Sequence, residues 1–290
     1  MRVTQNGLWT LVNSQLASIG SRTRELEEQA VTGLAISRPS DAPELVSRIA
    51  QLSAGVGDQS VYSSNATQAM SMLDTMDTAL GSAHDTLTRA REIAMQMVGD
   101  LATADERSTA SAEVEGLRST MLQLMNTAYA GRYVFAGTAY DAAPFADDGS
   151  YAGSAEEPST RVGASSWVAT GKDGSAVFNG DADVLGAIDA LNDALVADDS
   201  DAITAALEAL DAALTAVSSA RADVGNDTNL AEDSLDVAES LGAELQTRLD
   251  ETAAADPTET YMKLSEMRNA YTSALQVAAS ARGQTLFDLL

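Results

Sequence analysis

Between Leu45 and Leu101 the chain repeats apolar or small residues at steps of three and four. The positions are Leu45, Ile49, Leu52, Val56, Gln59, Ser63, Ala66, Met70, Leu73, Met76, Leu80, Ala83, Leu87, Ala90, Ala94, Met97 and Leu101. That period lays one apolar seam along a helix. Carried as a single helix it reaches roughly 90 Å at 1.5 Å per residue, so a rod is predicted rather than a compact domain. Two consecutive three-residue steps at 70–73–76 predict a local overwinding of the coiled-coil pattern. Other seams flank this one. Leu8, Val12, Leu16, Ile19, Thr23, Leu26 and Ala30 precede it, and Val114, Leu117, Met121, Leu124 and Ala128 follow a capping-box spacing at Thr103–Glu106. Later seams run Ile203, Leu207, Leu210, Leu214, Val217, then Leu230 to Leu249, and finally Leu264, Met267, Tyr271, Leu275 and Ala278.

Two short breaks punctuate these seams with one chemistry. Asp41-Ala42-Pro43-Glu44 and Asp256-Pro257-Thr258-Glu259 each offer an Asp cap, a Pro in the first turn and a Glu three residues after the Asp. Asp41, Glu44, Asp256 and Glu259 are therefore the predicted helix-break caps. Either break alone reads as an ordinary interhelical turn. Placed near the two ends of the chain, they read together as separating terminal helices from a central rod. The texture changes once, at residues 131–180, where Gly-rich sequence carries short runs such as "RYVF", "SSWVAT" and "SAVF" with Asp-Gly turn signals. This predicts a small β-rich insert of hairpins. The expected fold is mainly α: a long antiparallel helical rod or coiled coil built from both ends of the chain, with the insert in its middle. Its parts are terminal helices over 1–40 and 257–290, a rod over 41–130 and 181–256, and the insert.

Charge is partitioned in the same way. Residues 1–40 hold four basic and three acidic side chains, and residues 261–290 hold three and two. Residues 141–260 hold four basic against 26 acidic, net −22. Close packing of identical copies favours the near-neutral ends, and a solvated outer region tolerates the acidic centre. Such a field opposes nucleic acid and anionic lipid. No run approaches 18 uninterrupted apolar residues, so no membrane insertion is expected. The opening "MRVTQNGLWTLVNSQLASIG" lacks the continuous apolar core of a secretory signal.

Candidate chemistry is sparse. There is no cysteine and one histidine, His84, which reads as a solvated helix residue beside Asp85 rather than a metal ligand. "ADDSD" (197–201) lacks the glycine and distal Glu of a calcium loop and reads as a turn between helices. Seven of ten methionines fall between residues 70 and 125, where they read as core filling. Trp9 reads as a packing or interface anchor, and Arg22, Arg24, Arg38 and Arg48 as candidate ion-pair partners in an assembly. Neither an enzyme, a cofactor nor a metal site is expected.

Several motifs in order resemble one family. Thr32, Gly33, Arg38, Pro39, Ser40, Asp41 and Pro43 match the N-terminal signature of the flagellin superfamily of bacterial flagellar axial proteins. "GRYVFAGT" (131–138) with Pro144-Phe145 and "SARADVGN" (219–226) resemble its internal segments, and "TLFDLL" resembles the ending of its hook–filament junction branch. The resemblance implies a structural protein exported unfolded through the type III flagellar channel with a chaperone's help. It implies a ring of copies between a preceding hook-associated protein and flagellin, outside the cell. Filament flagellin is the structural alternative, and a soluble signalling coiled coil is the alternative of another class. An isolated amphipathic helix cannot bury its seam, so the terminal segments are expected to be disordered until assembly. The expected interface packs Leu8, Val12, Leu16, Ile19 and Leu26 against Leu264, Met267, Tyr271, Leu275 and Leu286.

Overall fold

A computed structural model describes the backbone of residues 2–36, 42–99, 102–180 and 182–287, and side chains within 9–36, 42–99, 102–180 and 182–279. The fold is mainly α. Its elements are α1 (Arg2–Thr32), α2 (Pro43–Met97), α3 (Ala104–Met125), β1 (Ala128–Tyr129), β2 (Arg132–Tyr133), β3 (Ser159–Arg161), β4 (Trp167–Ala169), α4 (Gly174–Phe178), α5 (Val184–Val196), α6 (Ser200–Ala253) and α7 (Pro257–Phe287). They divide into two units, one made of Met1–Gly57 with Gly242–Leu290, the other of Asp58–Leu241.

The second unit carries the core. Along α2 the buried positions are Ala66, Ala69, Met72, Leu73, Met76, Ala79, Leu80, Ala83, Thr86, Leu87, Ala90, Ile93 and Ala94. Within this face Ala66, Ala69, Leu73, Met76, Leu80, Ala83, Leu87, Ala90 and Ala94 alternate by three and four, so the buried positions do not follow the expected 70–73–76 steps. Ala69 occupies the core position, and the larger Met70 packs against its flank. α6 supplies the matching seam with Ile203, Ala206, Leu210, Ala213, Val217, Val224 and Ala231, all buried. Exposed ion pairs set the two helices against each other. Arg221 Nε donates to Asp77 Oδ1 at 2.7 Å, and Arg91 Nε to Asp211 Oδ1 at 2.5 Å. The Arg221 guanidinium holds the Asp77 carboxyl below the usual carboxylate range.

α3 opens on a completed capping box: Glu106 N donates to Thr103 Oγ1 at 3.3 Å, and Thr103 N to Glu106 Oε2 at 2.8 Å. It packs on α5, with Arg118 Nε on Asp189 Oδ1 at 2.5 Å and Ser111 Oγ on Asn192 Oδ1 at 2.8 Å. Arg107, 6% exposed, ties two interhelical turns together. Its Nε donates to Met97 O at 3.0 Å, its Nη2 to Gly99 O at 3.2 Å, and its Nη1 to the Asp198 carboxylate. "ADDSD" thus forms a turn: Asp198 sits at φ 55° and Asp199 Oδ1 caps α6 by accepting from Asp201 N and Ala202 N, both at 3.0 Å.

The insert holds less β structure than its hairpin signals predict. β1 and β2 pair through a two-residue turn, Ala130-Gly131, with φ 48° and 82°. β3 and β4 pair over three residues each. Order comes instead from an aromatic cluster, in which Phe178 stands edge-on to Phe135 and Phe145 at 5.1 and 5.7 Å. Asn126 acts as a surrogate strand, exchanging bonds of 2.9 and 3.0 Å with the backbone of Phe145. Tyr151 Oη donates to the carbonyls of Phe135 and Ser154 at 3.3 and 3.0 Å. Lys172 pins the insert to α6 through Asp227 at 2.9 Å.

Two outcomes are expected here. Arg107→Ala strands the Met97 and Gly99 carbonyls and should cost about 2 kcal/mol, lowering Tm by about 6 °C in calorimetry. Burial, aided by Asp173, pushes the Tyr151 phenol up to about 12. Its contribution to stability is therefore complete below the unfolded value near 10 and lost as pH rises through about 12. Near-ultraviolet circular dichroism should show the insert loosening over that window, and Tyr151→Phe should remove this component.

Candidate assembly interface

The residues that follow α1 meet the end of α6. α1 ends at Gly33, whose amide donates to Gln29 O at 2.8 Å and whose φ of 71° suits a residue without a Cβ. The following strand-like residue, Leu34, lies opposite Ala254, at the end of α6. Ala35 N donates to Ala253 O at 2.8 Å, and Ala255 N donates to Gly33 O at 2.9 Å. Gln29 Nε2 adds a bond of 2.9 Å to Ala35 O. The sequence showed two breaks of matching chemistry; it carried no signal that their backbones exchange hydrogen bonds.

α7 begins directly afterwards. Asp256 Oδ1 accepts from Thr258 N at 2.8 Å and Glu259 N at 3.2 Å, with Pro257 in the first turn. Glu259 does not close a box; its carboxylate takes Lys263 Nζ at 2.7 Å. In the other break, Glu44 lies in the first turn of α2, while Asp41 lies outside the described residues. So do Arg38, Pro39 and Ser40 of the signature.

α1 and α7 lie side by side. Arg268 Nη2 donates to Glu27 Oε1 at 2.7 Å. A Cβ on Gly20 would meet Tyr271 Cε2 at 3.8 Å, an ordinary contact distance. Of the expected interface residues, Leu264 is buried, and Val12, Leu16, Ile19, Leu26 and Met267 are half-buried. Tyr271 and Leu275 remain 39% and 44% exposed. The side chains of Leu8 and Leu286 lie outside the described residues. Sequence periodicity missed several exposed apolar residues. Val31, Leu34, Tyr261, Met262 and Val277 are exposed large hydrophobics in this unit, and none falls on a predicted seam. Among the described side chains of the unit, only Thr260, Leu264 and Ala278 are buried.

Elsewhere the candidate residues make no chemical constellation. His84 Nδ1 lies 3.9 Å from Asp85 Oδ1, and among the described residues no three metal-ligating groups converge. Trp9 is half-buried, and Met72, Met76, Met121 and Met125 are in the core.

Residues 4–140 match the helical region at the N-terminus of bacterial flagellins. Flagellar hook-associated protein 3 of Escherichia coli K12 is 30% identical over 154 residues, covering 52% of this chain and 49% of that protein. The same-named protein of Salmonella typhimurium is 25% identical over 181 residues, covering 62% and 57%. The matches thus span about half the length of these curated relatives. Among solved structures, Xanthomonas campestris FlgL superposes with a TM-score of 0.61 at 18% identity, covering 67% of this chain and 98% of that one. The flagellar junction protein FlgL of Legionella pneumophila gives 0.57 at 16%, covering 73% and 100%. At such identities these two likenesses concern the fold.

Gly33→Ala should strain the left-handed residue that the two breaks share, at a cost of about 1 kcal/mol. The amide of Ala255, which donates to Gly33 O, should then exchange about fivefold faster by hydrogen-exchange NMR.

Proposed function

We propose that this chain, flagellin-like over residues 4–140, is a structural axial protein of the bacterial flagellum that forms the junction ring between the hook-associated proteins and the flagellin filament. The observation carrying this reading is the surplus of exposed apolar side chains on the α1–α7 unit, including Leu11, Tyr261, Met262, Tyr271 and Leu275. A helix pair with so little internal burial is suited to a surface completed by other molecules. In this reading α1 and α7 form an antiparallel coiled coil, and they order fully only when neighbouring copies cover them. Its partners are further copies of itself, the preceding hook-associated protein, flagellin, and the export chaperone and type III apparatus that deliver it outside the cell. The similarity to proteins named flagellar hook-associated protein 3 favours the junction over the filament itself. No chemical step is assigned to it.

Leu16→Asp and Leu275→Asp put a carboxylate on the apolar side of this pair. Each should leave the helicity and melting of the 58–241 unit unchanged while abolishing filaments in a complemented deletion strain. Normal filament counts with both variants would defeat the assignment. In the deletion strain itself, bare hooks with flagellin released to the medium mark a junction protein. Bare hooks without released flagellin would mark the filament subunit instead.

A further inference from the structure

Two apolar surfaces lie on different units and carry opposite electrostatic needs. The first is a furrow of about 470 Å³ lined by Leu16, Ala17, Gly20, Thr23 and Arg24 of α1 with Tyr271 of α7. Ala17 and Gly20 leave it open, and Arg24 stands at its edge. Arg24 Nε turns back to Gly20 O at 3.2 Å, and the guanidinium has no carboxylate partner among the described residues. Arg22 and Arg48 of the same unit are likewise without one.

The second surface is a stripe on α6 in the other unit. Leu230, Val237 and Leu241 are 42%, 64% and 40% exposed, one and two turns apart on one face, with the loop 162–166 forming a wall. Asp233 lies within this groove, one turn before Val237. Neither Asp233 nor Asp236 has a cationic partner among the described residues.

Charge decides what covers the stripe. Its unit, residues 58–241, holds eight basic and 31 acidic side chains, net −23, whereas the other unit holds nine and twelve, net −3. Six of the eight cations of the acidic unit are paired with carboxylates of that unit. Arg89, Arg91, Arg107, Arg118, Lys172 and Arg221 pair with carboxylates, Arg132 lies over the Tyr140 ring, and Arg161 donates to the carbonyls of Gly163 and Ala164. Two such units facing each other would set 31 carboxylates against 31, with only Arg132 and Arg161 on each side outside carboxylate pairs. The near-neutral unit offers, at the edge of its furrow, a guanidinium without a carboxylate partner and beside it a gap for a branched side chain.

We infer that the α6 stripe of one copy seats in the α1–α7 furrow of a second copy, Val237 filling the gap over Ala17 and Gly20 and Asp233 meeting Arg24. The contact is heterologous, using two different patches, so it repeats from copy to copy and closes into a ring or runs as a helix. It rests on the proposed axial role and adds the pair of surfaces through which copies meet.

The absence of cysteine makes the test clean. Ala17→Cys and Val237→Cys chains, each otherwise intact, are mixed under assembling conditions and oxidised, with sedimentation velocity reporting self-association separately. A disulfide dimer should form in the mixture and not in either variant alone. Arg24→Glu should cut its yield at least tenfold, and Asp233→Arg on the other chain should restore it. Helicity of every variant is checked by circular dichroism, and the charge-restored pair guards against simple misfolding. Self-association without the mixed disulfide would overturn this surface pairing while leaving the axial role standing. Disulfides within the Ala17→Cys variant alone would also overturn it, in favour of a two-fold contact. No self-association at all would overturn both.

Discussion

Two amphipathic helices laid side by side bury only the strip between them, and that geometric limit governs the α1–α7 unit. Ordering a residue's backbone costs about 1–2 kcal/mol, while apolar burial returns about 25 cal/mol per Å². With Leu264 and Ala278 the only buried apolar side chains described there, the return is small against the length of the two helices. The 58–241 unit stands on different ground. Its α2 and α6 seams, the α3–α5 pair and the aromatic cluster of the insert enclose a continuous core. One chain therefore combines a part with a continuous buried core and a part whose helices bury little of their apolar surface.

The break-to-break bonds explain how the deficient part is nevertheless given a defined start. Gly33 and Ala255, together with Ala35 and Ala253, exchange backbone hydrogen bonds that fix where α1 stops and α6 ends. Asp256 then caps α7 immediately. The relative register of the two terminal helices follows from these few bonds and from Arg268 on Glu27, not from a large core. Such a device costs little burial and sets both helices from one point, which suits elements that complete their packing elsewhere.

What the sequence disclosed and concealed follows the physics of each level. Periodicity exposed the helices because burial on one face imposes a 3.6-residue rhythm, and Thr103 with Glu106 announced a cap that does form. It misplaced core positions where a small residue stands beside a larger one, Met70 for Ala69 on α2 and Leu230 and Val237 for Ala231 and Ala238 on α6, because a hydrophobicity pattern favours the larger residue whereas the helix face admits the smaller. The insert was legible as irregular, Gly-rich chain but not as an aromatic cluster, since Phe135, Phe145 and Phe178 are brought together over 43 residues. The exposed Val31, Tyr261 and Met262 were overlooked for a related reason. A seam search records the face that follows the period and ignores apolar residues beside it, yet those are the ones that speak of further contacts.

Electrostatics narrows what those contacts are. A region of net −23, six of whose eight cations already pair with its own carboxylates, meets its own likeness at an electrostatic cost. Screening at physiological salt reaches about 8 Å, so separated acidic surfaces tolerate one another in water while desolvated ones do not. Apolar side chains such as Val237 on the acidic unit must then be covered, if they are covered at all, by a surface holding spare positive charge. Arg22, Arg24 and Arg48 are on the unit with the fewest buried side chains and the least net charge. The shortage of burial in one unit and the excess of negative charge in the other are thereby complementary needs, which is the physical basis of the pairing proposed between copies.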